Sequence, residues 1–142
     1  MQNNWQIYAL GSAFFAGLTA ILAKIGVMDI SSNVASFIRT VVIGLFLGLW
    51  LTARAEWANP FLMSSKSFLF LTLSGLTTGL SWLLYFRALQ LGDASVVVSI
   101  DKLSLPFAVI LAVFFLGEHL GIWQWLGVGF MLIGSLLVAF KG

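Results

Sequence analysis

Five runs of roughly twenty apolar residues constrain this chain more than any other feature. They cover about Trp5–Ile25, Val34–Ala53, Phe68–Leu91, Ser95–Leu116 and Trp123–Phe140. The hydrocarbon core of a bilayer is about 30 Å thick and takes about 20 residues of helix to cross. Backbone N–H and C=O groups find no water in lipid, so a span must pair them internally, as a helix does. The pattern predicts an all-α integral membrane protein, a bundle of five transmembrane helices. Composition agrees, since 8% of the 142 residues are charged and 61% are hydrophobic, against about 25% charged in a soluble domain. Seven basic and five acidic residues are too few to keep a soluble surface of this size dispersed.

The same scarcity narrows function. The basic residues stand singly along the chain, without the clustering or aromatic interleaving of a nucleic-acid groove, so no nucleic-acid partner is expected. There is no cysteine, which removes disulfides and thiolate chemistry. One His and five scattered acids predict no metal centre and no cofactor. The opening MQNNWQIYALG lacks the basic stretch and small-residue cleavage site of a secretory signal, so the first run is expected to stay as a span. Between the runs lie chemically sensible stops: Asp29 to Asn33 offers N-cap side chains, and Asn59-Pro60 with Ser64 to Ser67 fills the longest loop. Without a linker or charge block, residues 1–142 read as a single transmembrane domain.

Trp5, Trp50, Trp57, Trp123 and Trp125 fall at run ends on one membrane side, as an interfacial aromatic belt would. Trp82 lies well inside the third run, one turn from Tyr85, and is better placed to line an interior. GLFLG (Gly44, Gly48) and GLTTG (Gly75, Gly79) have the spacing that lets helix backbones approach closely in lipid. Packing within the bundle is the simpler expectation for them, a dimer face the other. An odd number of spans puts the termini on opposite sides. Arg54 and Lys66 then face Lys24, Arg87 and Lys141, with Arg39 and Lys102 embedded towards the latter side. If the embedded pair also counts, the C-terminus leans towards the cytoplasm, and a balance this even permits insertion in both orientations.

The embedded charges carry the functional signal. Asp101 lies about 9 Å into the fourth run at 1.5 Å per residue, and Arg39 is about five residues into the second. A charge at the bilayer centre costs about 2.5–3.5 kcal/mol on insertion scales, and intramembrane ions usually pair or face a cavity. Lys24, Arg39, Asp101 and Lys102 share one depth and predict one shared site. Neighbours on a helix diverge by about 100°, so Asp101 is expected to pair with Arg39 or Lys24 while Lys102 snorkels. Ser104 follows Asp101 on its face as a pocket member. A pair that only fixes helix register, or simple snorkelling, would explain the same residues. Pro106 removes a backbone hydrogen bond and is expected to kink the fourth run beside the charges. Glu118 and His119 lie at the opposite interface and read as a helix end.

The stretch Ser81 to Leu120 carries a resemblance. Tyr85-Phe86, Ala88-Leu89-Gln90-Leu91-Gly92, Ala94-Ser95, Pro106-Phe107 and Leu116-Gly117-Glu118 resemble the repeat of the EamA family of the drug/metabolite transporter superfamily. LTAILAKIGV, SFIRTVV and SIDKLS are similar to its short, single-repeat members, so the likeness covers nearly the whole chain. Full-length members hold two five-helix repeats in inverted topology around a central cavity. The resemblance therefore implies that this single repeat pairs with an inverted second copy, an antiparallel homodimer that rebuilds a ten-helix transporter. Many two-repeat members have a polar residue just before the fourth-span proline, where Leu105 stands here.

The expected function is export or exchange of small metabolites or drug-like solutes across a bacterial inner (plasma) membrane, by alternating access. Ser81, Trp82, Tyr85, Asp101, Ser104 and Arg39 are the expected cavity residues. A competing reading is a non-transporting subunit, or a half-transporter that needs a homologous partner. No enzyme is expected, because a lipid-modifying site would need aligned acids or a His at one headgroup level, and Asp101 stands among basic residues.

Overall fold

The computed structural model describes residues 5–57 and 63–140. Every regular element among them is helical: α1 (Trp5–Gly26), α2 (Ser32–Ala53), α3 (Ser65–Leu91), α4 (Ala94–Asp101), α5 (Ser104–Leu111) and α6 (Ile122–Ala139). A π-helical turn, Ala112–Leu116, follows α5. With α4, α5 and that turn taken as the single stretch Ala94–Leu116, five segments are long and apolar enough to cross a membrane. Each starts and ends within a turn of the run read from sequence. Asn59-Pro60 and Lys141 lie outside the described residues.

The helix ends follow from the polar punctuation. Ser31 takes extended backbone, φ −63° and ψ 141°, and its Oγ accepts from the Val34 N–H at 3.3 Å, satisfying a donor the helix leaves orphaned. Ser64 does the same for Ser67 at 3.1 Å. Gln124 Oε1 reaches back to the Gly121 N–H at 2.7 Å to open α6. Within α2, Ser36 donates to the Ser32 carbonyl and Thr40 to the Ser36 carbonyl, both at 2.9 Å. These hydroxyls thereby hide their polarity on their own helix.

The fourth span is broken where its charges sit. α4 ends at Asp101, Lys102 and Leu103 turn, and α5 begins at Ser104 with Pro106 in its first turn. Proline has no N–H for the Lys102 carbonyl one turn back. That carbonyl instead accepts from the Leu105 N–H at 3.0 Å, and Leu103 N–H tightens onto the Ile100 carbonyl at 3.0 Å. The segment ends on Gly117, whose φ of 68° lies in the left-handed region that favours glycine.

The helices form two compact units. One joins α1 through Ile21 with the chain from Leu91 onward; the other runs from Leu22 to Gln90. In the first, α6 packs against α4 and α5, and Val128 and Pro106 are buried. In the second, the core lies where α1 leads into α2 and where α3 ends. Val27 and Leu89 are fully buried there, beside Phe86, Ala35, Ser32 and Ser36.

The spans bury only between 0% and 11% of their apolar windows, so most of the apolar surface is left for lipid or for another polypeptide. A Cβ added at Gly44, Gly48, Gly75 or Gly79 would meet no atom within 4 Å. Within the Leu22–Gln90 unit these positions are therefore open helix surface.

Candidate functional site

The Leu22–Gln90 unit brings together residues that are far apart in sequence. Arg39 stands two turns inside α2, about 10 Å from its start at 1.5 Å per residue. On α3, Trp82 and Phe86 are four residues apart and so share one helix face. The Arg39 guanidinium carbon lies 4.3 Å from the centre of the Trp82 ring and 5.6 Å from that of Phe86. Both distances fall within the reach of a cation over an aromatic face. Tyr85 meets Phe86 edge-to-face at 6.2 Å and lies within electrostatic range of Arg39. Phe86 is buried, while Arg39, Trp82 and Tyr85 are half-buried.

Nearer the helix ends, a polar clasp closes the unit. The Lys24 ammonium donates to the Leu89 backbone carbonyl, placing a cation on the negative end of α3. The Gln90 amide donates to the Val27 carbonyl at 2.9 Å and to the Ile30 carbonyl at 2.7 Å. Arg87 in turn donates to Gln90 Oε1 at 3.2 Å. Loop carbonyls that would otherwise sit unpaired at a membrane boundary are thus served by one side chain.

The other unit holds the charged pair of the broken span. Lys102 Nζ stands 3.5 Å from Asp101 Oδ2, with both side chains partly exposed. This corrects the expectation that chain neighbours would not pair. The 100° divergence applies inside a continuous helix, and here the helix stops at Asp101, so Lys102 follows a turn. In its own unit the Lys24 ammonium donates to the Leu89 carbonyl. Ser104 opens α5 and is exposed, as is Ser81 on α3. The expected cavity residues thus divide by unit, with Arg39, Ser81, Trp82 and Tyr85 in one and Asp101 and Ser104 in the other.

Two contributors escaped the sequence reading. Phe86 was visible only as a motif residue, although its four-residue spacing from Trp82 marks a shared aromatic face. Gln90 too was visible only as a motif residue, although it lies three residues from Arg87 on the same helix side. The belt tryptophans are exposed, and Trp57 Nε1 donates to Thr52 Oγ1 at 3.0 Å at the end of α2.

Known proteins supply a context for this geometry. The model of the EamA-like transporter family matches residues 3–140. A protein of Sinorhizobium sp. named "Uncharacterized transporter in cobO 3'region" is 50% identical over 139 residues, covering 98% of this chain and 99% of its own length. No solved structure matches the chain.

Proposed function

Because the chain belongs to the EamA-like transporter family, we propose that it moves small metabolites or drug-like solutes across a membrane by alternating access, as an antiparallel homodimer. It is a multi-pass helical membrane protein, and the bacterial inner membrane is the proposed location. The observation that carries the reading is how little the spans cover one another. Between 0% and 11% of each window is buried, yet α2 and the fourth span both carry charges within their length. Lipid can cover apolar faces, but an embedded charge needs a partner or a water-filled interior. A second copy, inverted about an axis in the membrane plane, would supply that interior, as an odd-numbered repeat allows.

In this arrangement the five-helix domain is one half of a ten-helix transporter. Arg39, Trp82 and Tyr85 with Ser81 form one part of the solute path, and Asp101 with Ser104 the other. The break at Lys102–Leu103, backed by Pro106, is the joint about which the fourth span flexes between outward and inward forms. A half-transporter that needs a homologous partner is favoured by the same unburied faces. Purified protein in liposomes loaded with a soluble metabolite mixture separates the two, with mass spectrometry reading what leaves. Selective loss of a solute class from liposomes holding this chain alone supports the homodimer. No loss, together with a second polypeptide that co-purifies in equal amount, would replace it with the half-transporter.

A further inference from the structure

Arg39 differs from four of the other cations associated with the spans, and from Lys66, which stands exposed in the first turn of α3 at the helix end. Lys24 has the Leu89 carbonyl, Arg54 has Glu56 at 3.0 Å, Arg87 has Gln90 Oε1 and Lys102 has Asp101. Among the described residues, Arg39 lies over two ring faces with Tyr85 in electrostatic range, and it makes no hydrogen bond to an oxygen. An aromatic face answers the charge of a guanidinium but offers no oxygen lone pair to its five N–H donors.

We propose that the Arg39–Trp82–Phe86 cluster is an oxyanion-binding site, and that the solute carried bears a carboxylate or phosphate group. The inference rests on the transporter reading above and names its substrate class. Guanidinium is planar, charged at every physiological pH, and matched in its fork to the paired oxygens of carboxylate and phosphate. The two rings hold that fork in place, so less freedom is lost when an anion docks. A cationic solute would meet a like charge, and the aromatic faces that could bind it are already taken by Arg39. A neutral solute could offer oxygen lone pairs but no charge to answer a permanent cation at a depth of about two helical turns.

A lipid phosphate offers the same chemistry, and the test separates it from a free anion. Protein in phosphate-free maltoside micelles is dialysed to equilibrium against radiolabelled inorganic phosphate or radiolabelled benzoate, with chloride holding ionic strength constant. A parallel arm uses short-chain phosphatidic acid. The expected result is saturable binding of phosphate or benzoate, weakened about tenfold or more in Arg39→Gln. Arg39→Lys keeps the charge without the fork and should fall between. Trp82→Leu removes the ring that holds the fork and should weaken binding severalfold. Arg39→Lys and Trp82→Leu keep the comparison open if Arg39→Gln does not fold.

Absence of saturable binding, or equal binding by wild type and Arg39→Gln, would overturn the site. Binding of phosphatidic acid alone would assign Arg39 to a headgroup and overturn the solute class. Liposome flux is scored separately. Anion binding without flux sinks the transporter reading and leaves the site standing, whereas flux of neutral or cationic solutes without anion binding does the reverse.

Discussion

Gln90 shows how much one side chain can hold. Its amide serves two loop carbonyls, of Val27 and Ile30, and its carbonyl oxygen receives Arg87. Leaving a buried acceptor without a donor costs about 1–3 kcal/mol, less where water reaches it, and Gln90 is half-buried. Gln90→Leu is therefore expected to lower unfolding free energy by about 1–2 kcal/mol, read from thermal unfolding in micelles. Gln90→Glu keeps an acceptor for Arg87 but loses the amide donor, and should be nearly as damaging. Wild-type stability in both variants would show that the clasp is ornamental. At this scale the sequence was half legible. Arg39, Trp82 and Tyr85 stand out as polar or aromatic residues inside apolar runs. That Arg39 lies over Trp82 depends on the register of α2 against α3, which no local pattern encodes. The contact between Asp101 and Lys102 was missed for a related reason: the rule for neighbouring residues assumes a helix that continues, and α4 does not.

Among the elements, the broken fourth span has the most specific consequence. Pro106 stands in the first turn of α5, where a missing N–H is tolerated, so its removal changes the break more than the stability. In Pro106→Ala the residue regains an N–H for the Lys102 carbonyl, and helix can run through Lys102 and Leu103. A slowly exchanging amide at position 106 and a severalfold slower flux are expected, with the unfolding midpoint held or raised. A fast-exchanging amide with unchanged flux would remove the joint from the mechanism. Gly117 ends the same span at φ 68°. Gly117→Ala should cost about 1–2 kcal/mol through left-handed strain, while Gly117→Asn, which tolerates that region better, should cost less; calorimetry of both variants decides. Helix existence and extent were legible from hydropathy, because lipid leaves backbone few alternatives. Pro106 also announced a disturbance. The location of the break, a turn earlier at the charged pair, follows from which carbonyl loses its donor.

For the whole molecule, the unburied spans and open glycines make the second copy the central question. Gly48→Leu and Gly75→Leu add bulk where the chain itself has nothing within 4 Å. The single chain should keep its helical content, and the dimer should weaken if either glycine lies at the contact between copies. Sedimentation in matched-density detergent reads the shift from dimer to monomer, and unchanged mass in both variants would move the contact elsewhere. The near balance of basic residues across the two sides, legible from sequence, agrees with insertion in both orientations. Which faces meet was not legible, since GLFLG and GLTTG have the same spacing whether they pack within a chain or between chains. The most direct test uses the absence of cysteine: one Cys appended after Gly142, labelled in intact cells by a membrane-impermeant thiol reagent. An antiparallel homodimer predicts that about half of the protein is labelled before lysis and the remainder only after. Labelling of all or none would fix a single orientation and contradict the inverted pair.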